Sequence, residues 1–268
     1  MDLFAAQQLQ SLLNTEFLGR NAILLVSVDS TNSQARRGLA DGLPHGAVFI
    51  AGEQTGGRGR RGRQWVSEPG CGLWMTVVLE PFMAAEEMQK LTLLIGLAVC
   101  RAVESLTGYD GLAIKWPNDV LAEGKKLCGI LCESALDQNG KRMVIAGVGV
   151  NTRTPTMGYG EAALVATSIE AATGRTVDRL VLAAAILGQM EMLLDGWQTE
   201  GFAGVAEGYR RYMLPEGTPV VIMDGQKQEF AAIEGLDDDG ALLVRLQTGG
   251  MRRIISGEIS VRGVIGYA

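Results

Sequence analysis

The run Glu53-Gln54-Thr55-Gly56-Gly57-Arg58-Gly59-Arg60-Arg61-Gly62-Arg63-Gln64-Trp65 is where the chain declares its chemistry. Four arginines and four glycines interleave, and a tryptophan closes the run. Glycine lets backbone N–H groups approach a ligand closely and permits positive φ. Arginine presents a planar fork of donors that matches carboxylate and phosphate oxygens. Arg-Gly-rich RNA-binding tails share this composition, but they repeat and sit at termini. This run occurs once, internally, between two strand-like stretches, residues 46–52 and 72–80. A mobile loop that wraps an anion is the expectation, since loops carry binding function disproportionately.

Composition makes the run an exception. The 268 residues carry a net charge of −6, which argues against a general nucleic-acid binder. At 47% hydrophobic and 20% charged, the chain can bury a sizeable core and is not globally disordered. Its length suits one large domain, or one medium and one small. The four cysteines (Cys71, Cys100, Cys128, Cys132) form no Cys-x-x-Cys pair, and His45 is the single histidine. A structural zinc site is therefore not expected. Cys128 and Cys132 share parity on one strand-like run and read as buried thiols facing one side. The N-terminal residues lack the basic and apolar regions of a signal peptide. No charge-free stretch of about 18 apolar residues marks a membrane span. No membrane contact and a cytoplasmic location are the expectations.

Outward from the loop, leucine and phenylalanine spacing predicts one short helix over residues 3–18. Residues 22–28 read as a strand ending in Asp29-Ser30-Thr31-Asn32-Ser33, from which a helix runs to about Leu39. That polar cluster fits a helix cap or a ligand-facing strand end. Residues 84–107 read as a long helix stopped by Gly108. The stretch Leu112-Ala113-Ile114-Lys115 is a strand interrupted by Pro117, and Asp137-Gln138-Asn139-Gly140 turns a hairpin. Within the return strand, residues 143–151, two glycines point to a ligand or second backbone close by. That strand is also expected to form an edge able to pair across a homodimer. Ser168 and Asp178 start further helices, the second running to about Trp197, and another helix spans residues 202–213. After Pro215-Glu216-Gly217 short strands and tight turns take over. The division expected is a domain of residues 1–215 and a small β-barrel of residues 216–268.

His45 sits in a Leu-Pro-His-Gly turn, so no serine–histidine pairing can be drawn. No Gly-x-x-x-x-Gly-Lys-[Ser/Thr] loop is present, and Gly57-x-Gly59-x-x-Gly62 is not followed at once by a helix. What remains is the arginine loop, Lys115 on an apolar strand, the glycine-lined strand, and amide and hydroxyl side chains. Lys115 would be costly to bury without an anion partner. Such parts suit charge stabilisation more than acid–base chemistry. Carboxylate activation by a nucleotide is a reaction of that kind.

Gly57-Arg58-Gly59-Arg60-Arg61-Gly62-Arg63-Gln64-Trp65 resembles the signature loop of biotin–protein ligases. Asp29-Ser30-Thr31-Asn32, Lys115-Trp116-Pro117-Asn118-Asp119 and Gly147-Val148-Gly149-Val150-Asn151 match the same family in the same order, and Gly257-Glu258-Ile259-Ser260-Val261-Arg262-Gly263 resembles its last strand. The matches span residues 29 to 263. The resemblance implies an α+β fold: a mixed β-sheet with helices packed on it, like class II aminoacyl-tRNA synthetases, plus a C-terminal SH3-like barrel. It implies that biotin and MgATP give biotinyl-5′-adenylate and pyrophosphate, and that a lysine of a biotin carboxyl carrier domain then takes the biotinyl group. Carried over, Ser30, Thr31 and Gln54 would bond the ureido ring, with Asn32 and Gly59 in the same biotin-binding set. The Gly57 backbone with Arg58 and Arg60 would hold carboxylate and phosphate. Lys115 and Arg60 would be catalytic, with Lys115 bridging biotin's carboxylate and the α-phosphate. Gly147 and Gly149 would let biotin lie on the sheet. Trp65, Asn118, Asn151 and Arg262 would surround the adenylate. No protein ligand to magnesium is implied; the ion would come with ATP.

Trp65 and Trp116 read equally well as core aromatics, and Arg61 and Arg63 as solvated loop charges. Some family members carry an N-terminal DNA-binding domain of about 60 residues. With few residues before Ser30, no such domain and no DNA partner are expected. Two alternatives stay open: a lipoate or octanoate ligase or transferase, and a non-catalytic nucleic-acid-binding module.

Overall fold

The structure, a computed structural model, describes residues 3–84, 87–224, 227–255 and 259–263. Strands β1 (Ala22–Val28), β2 (Val48–Gln54), β3 (Gly72–Leu79), β4 (Leu112–Lys115), β5 (Asp119–Ala122), β6 (Lys125–Leu136) and β7 (Arg142–Asn151) form one seven-stranded sheet. Its order is β1-β2-β3-β7-β6-β5-β4. Only β1 and β2 run parallel, because α2 (Thr31–Ala40) crosses between them; the other pairs are antiparallel.

Strand periodicity sorts side chains between two faces. On β3 and β7, Leu73, Met75, Val77, Leu79, Val144, Ala146, Val148 and Val150 join one large core. Helices α1 (Leu3–Leu12), α3 (Met88–Thr107), α5 (Arg179–Glu200) and α6 (Ala203–Arg210) contribute to that core. The alternate residues face α2. Phe49, Val78 and Ile145 pack there on Ala35 and Leu39, while Trp74, Thr76, Gly147 and Gly149 belong to the same face nearer the Arg-Gly loop. Helix α5 is long and apolar enough to cross a membrane by length and composition. Its Leu182, Ala183, Ile186, Leu187 and Met190 are nevertheless fully buried against the sheet's core.

The caps read from the sequence form. Asp178 accepts from the Leu180 and Val181 N–H groups, Ser168 accepts from Ala171, and Gly108 ends α3 at φ 70°. Short helix α4 (Ile169–Thr173) follows Ser168. Helix α1 stops at Leu12, not near residue 18. The reason is distant: the buried Glu191 carboxylate on α5 accepts the N–H groups of Glu16, Phe17 and Leu18, pulling that backbone out of helical register. Helix α6 likewise ends at Arg210, short of Met213, because the chain turns to bond β4 along its outer edge through Tyr212 and Leu214.

Strand β7 is not an edge. It pairs with β3 over residues 144–151 on one side and with β6 over residues 142–150 on the other, so it is an interior strand. The dimer expected through it is therefore excluded. Strand β1 is the outer strand at one end of the sheet.

Strands β8 (Pro219–Asp224), β9 (Lys227–Leu236), β10 (Leu242–Leu246), β11 (Met251–Ile254) and β12 (Ile259–Gly263) make a separate antiparallel sheet, ordered β11-β10-β9-β8-β12. Val220, Ile222, Ile233, Leu242 and Val244 join the same hydrophobic core as α3 and α6. Trp116 is 3% exposed, and its Nε1–H donates to the Gly240 carbonyl at 3.1 Å. It is thus a core aromatic that ties the β4–β5 turn to the small sheet. The Trp116–Pro117 bond is cis.

Candidate functional site

The Arg-Gly run is a short, ordered hairpin. Trp65 N–H donates to Gly57 O at 2.9 Å, Gly59 N–H donates to Arg63 O at 2.7 Å, and Arg58 bridges Gln64. The tip, Arg60–Gly62, is one 3₁₀ turn in which Arg61 (φ 59°) and Gly62 (φ 72°) are left-handed. A Cβ on Gly57 would lie 2.5 Å from the Trp65 carbonyl oxygen, so only glycine lets the two limbs close this tightly. The stem is anchored beside α2: Thr55 and Gly56 donate to Val28 O and Asp29 O, each at 2.8 Å.

Between this hairpin, the start of α2 and the middle of β6 and β7 lies a cleft. One end is built of hydroxyl and amide groups. Ser30, Thr31 and Asn32 are each about 95% buried there, with relative exposures of 4%, 4% and 5%. Ser30 stands at the helix cap position, but its hydroxyl caps nothing. The capping alternative therefore falls away and a buried hydroxyl faces the cleft. Gln54 is held at both ends of its amide: Oε1 accepts the Thr31 N–H at 2.9 Å, and Nε2 donates to Ser67 Oγ at 2.9 Å. Fully buried Thr76 lies 2.8 Å from Thr31 Oγ1 and 2.7 Å from Asn32 Oδ1.

The other end is cationic. Arg60 and Lys126 line it with Asn118, while the Arg58 guanidinium lies by Asn32, 3.3 Å from Ser33 Oγ and 3.6 Å from Glu133. Arg60 Nη1 donates to Asn118 Oδ1 at 2.8 Å, and Asn118 Nδ2 donates to Asp119 at 2.8 Å. Burial holds the Arg60 guanidinium below its ordinary pKa, against the pull of the Asp119 carboxylate. An anion placed there would recover the lost solvation. Lys126 Nζ lies 2.6 Å from Asp119 and 5.1 Å from the Trp65 ring centroid, a cation–π contact. Two cations converge on one end of one cleft, which the chain's overall acidity would not predict.

The floor is glycine. Gly129 on β6 pairs with Gly149 on β7, and the Trp65 indole lies over both. A Cβ at either would come within 2.9 Å of that ring, and one at Gly147 within 2.4 Å of Asn32 Oδ1. The close approach expected at Gly147 and Gly149 is therefore real, but the nearest neighbours are the protein's own Asn32 and Trp65. Trp65 Nε1–H is buried and has no hydrogen-bond partner among the described residues.

The structure thus gathers Ser30, Thr31, Asn32, Gln54, Arg58, Gly59, Arg60, Trp65, Asn118, Gly147 and Gly149 around one cleft. Gly57 supports the hairpin from behind. Asn151 does not line the cleft: its Nδ2 donates to Thr167 O at 2.9 Å and holds the following loop. Lys115 does not line it either. It is buried on β4, in register with Asp119, two strands farther from the glycine floor than β6. The Arg262 side chain lies outside the described residues.

Sequence reasoning missed Lys126, Gly129, Thr76, Ser67 and Glu133. For Lys126 the cause is a β-bulge. Val120 pairs with Cys128 but Leu121 pairs with Lys126, so one extra residue sits in β6. Strict alternation would put Lys126 and Gly129 on opposite faces; the bulge brings both to the cleft. Cys128 and Cys132 face the opposite core as the parity predicts, and burial pushes both thiols up, Cys132 to about 11. They are not nucleophiles here. His45 is structural: its Nδ1 accepts the Glu80 N–H at 3.0 Å and its ring stacks on Phe17.

Comparison with known proteins agrees with this geometry. Residues 25–151 match the biotin/lipoate A/B protein ligase family, and residues 217–262 match the biotin protein ligase C-terminal domain. The biotin–[acetyl-CoA-carboxylase] ligase of Paracoccus denitrificans is 38% identical over 228 residues, covering 83% of this chain and 93% of that protein. The bifunctional ligase/repressor BirA of Bacillus spizizenii is 33% identical, with 93% of this chain aligned to 76% of it. The biotin protein ligase of Aquifex aeolicus, solved in complex with biotin and ATP, superposes with a TM-score of 0.80 at 31% identity, covering 91% of this chain and 99% of that one. The expected architecture, a mixed sheet with helices and a small C-terminal β-domain, is thereby shown. This chain belongs to the biotin protein ligase family.

Proposed function

We propose that this cleft joins biotin to ATP and then passes the biotinyl group to a lysine of a biotin carboxyl carrier domain. The observation that carries the reading is the polarity of the cleft. Hydroxyl and amide groups at one end, and the cations Arg60 and Lys126 at the other, share one glycine floor. That matches a neutral ureido ring at one end and a carboxylate meeting a phosphate at the other.

In the first step a carboxylate oxygen of biotin attacks the α-phosphorus of ATP, and the bond to pyrophosphate breaks. Negative charge concentrates between Arg60 and Lys126, which offset it. Lys126 replaces Lys115 as the lysine we assign to this role, because it lines the cleft. In the second step the carrier's lysine amine attacks the acyl carbon and AMP leaves; the same cations stabilise the departing phosphate. Magnesium would enter with the nucleotide and neutralise phosphate charge. Among the described residues no group of three His, Cys, Asp or Glu could hold a metal ion, and the cationic lining fits phosphate. Trp65 stacks at the adenylate end, where a bound molecule could accept from its unpartnered Nε1–H. Four free thiols fit work in a reducing compartment such as the cytoplasm. We divide the chain at residues 215 and 216, a boundary supported by the second family match beginning at residue 217.

Pyrophosphate release tests the reading. With MgATP, biotin supports release and lipoate does not. Release with lipoate alone assigns the cleft to a different acid. Silence with both acids, alongside salt-sensitive RNA binding, favours a non-catalytic module.

A further inference from the structure

Glu133 on β6 has no part in the chemistry above, yet its carboxylate ends a buried chain of hydrogen bonds. Asn32 Nδ2 donates to Glu133 Oε2 at 2.7 Å and lies 3.4 Å from Leu131 O. Both partners only accept, so the Asn32 amide nitrogen must face them and its Oδ1 must face Thr76. Gly147 makes the room: a Cβ there would lie 2.4 Å from that oxygen. Thr76 Oγ1 has one proton and two neighbours, Asn32 Oδ1 at 2.7 Å and Thr31 Oγ1 at 2.8 Å. Asn32 Oδ1 cannot donate, so Thr76 gives its proton to Asn32 and offers a lone pair to Thr31. The Thr31 hydroxyl has two acceptors in reach, Thr76 at 2.8 Å and Gln54 Oε1 at 3.1 Å, and the shorter bond runs to Thr76. Every proton in the series then points the same way: Thr31 to Thr76, Thr76 to Asn32, Asn32 to Glu133. Such chains strengthen cooperatively when aligned.

The consequence falls on Gln54. Its Oε1 accepts the Thr31 N–H at 2.9 Å, and the aligned chain leaves its second lone pair unused. Thr31 Oγ1 keeps a lone pair as well, and both residues line the cleft. Were the Asn32 amide reversed, its nitrogen would donate to Thr76, and Thr76 would donate to Thr31. Thr31 would then have to donate to Gln54, saturating Oε1. A cyclic urea brings two N–H donors and needs two acceptors.

We propose that Glu133 is a positioning residue that orients Asn32, Thr76 and Thr31 so that Thr31 and Gln54 both present acceptors to the two ureido N–H groups of biotin. This rests on the biotin reading above. Glu133 also faces Arg58 at 3.6 Å and Arg36 at 3.7 Å, so removing its charge changes more than Asn32. Two variants separate the effects: Glu133→Gln and Glu133→Met both lose the charge, and only glutamine keeps an acceptor for Asn32.

The test is steady-state pyrophosphate release by the full chain with biotin and MgATP. In Glu133→Met the KM for biotin rises about tenfold, the worth of one unpaired buried donor. The KM for ATP and kcat are the same in Glu133→Met and Glu133→Gln, because both lose the charge that faces Arg58 and the ureido ring is remote from the reacting carboxylate. Glu133→Gln restores the biotin KM. Thr76→Val cuts the chain at its middle, reproduces the same rise, and adds nothing when combined with Glu133→Met. A wild-type biotin KM in Glu133→Met overturns the proposal, as does a glutamine variant no better than methionine. If Glu133→Met fails to fold, an unchanged biotin KM in Thr76→Val does the same. Wild-type protein silent with biotin defeats the functional reading itself; active wild type with indifferent variants defeats only this inference.

Discussion

Lys126→Met lowers single-turnover pyrophosphate release about 10²- to 10³-fold at saturating biotin and MgATP, the usual cost of losing one preorganised charge-stabilising group. The Lys126 ammonium is held on two sides, by Asp119 at 2.6 Å and by the Trp65 ring at 5.1 Å. It therefore needs no reorganisation when charge develops at the phosphorus. Methionine keeps the stem's packing over the floor and removes only the charge. Lys115→Met is the control. It sits two strands away on β4 and does not line the cleft, so its effect on release is smaller. Equal or larger loss at Lys115, with unchanged circular dichroism in both variants, would return the role to Lys115.

Gly57→Ala has the second large effect, and it works through the backbone. The new methyl would meet the Trp65 carbonyl at 2.5 Å and Ser67 Oγ at 2.9 Å. The carbonyl belongs to the opposite limb of the hairpin, which is closed by Trp65 N–H to Gly57 O. The stem must open by about 1 Å to restore ordinary contact, carrying Arg58 and Arg60 with it. Adenylation falls about 10²-fold, as expected for a misplacement near 1 Å among charge-positioning groups. Thermal stability falls modestly, since the displaced limb carries Trp65, which packs on Val28, Ala51 and Trp74. Stopped-flow release and a melting curve on the same preparation check both halves. Wild-type release would mean that the stem's closure is irrelevant to the chemistry.

What could be read from the sequence was whatever is local. The turn Asp137-Gln138-Asn139-Gly140 joins β6 to β7, Asp178 and Ser168 cap their helices, and Gly108 ends α3. The grouping of Ser30, Thr31, Gln54 and the arginine loop held because strand ends and glycine-rich turns carry their own signature. What escaped depended on distant partners. Glu191 ends α1 from over 170 positions away along the chain, and no periodicity near residue 13 announces it. The sheet order buries β7 between β3 and β6, and nothing local to residues 143–151 shows that this strand is not an edge. Thr76 and Glu133 stand within apolar or amphipathic strands and look like ordinary strand residues until α2 is laid across them. Lys126 was hidden by a single bulged residue, which reverses the face of everything before it.

The same view explains why arginine and glycine alternate in the loop. Gly57 lets the limbs close, Gly62 turns the tip, and the arginines between them point to the cleft or to solvent. The hairpin is an ordered wall of the site, and its charge is aimed by its own backbone hydrogen bonds.

The most direct measurement is the intact mass of a purified biotin carboxyl carrier domain after incubation with this protein, MgATP and biotin. The account predicts a gain of one biotinyl group, confined to one lysine and dependent on ATP, and no lipoyl group when lipoate replaces biotin. An unchanged carrier mass, or a lipoyl group transferred in place of biotin, would contradict it.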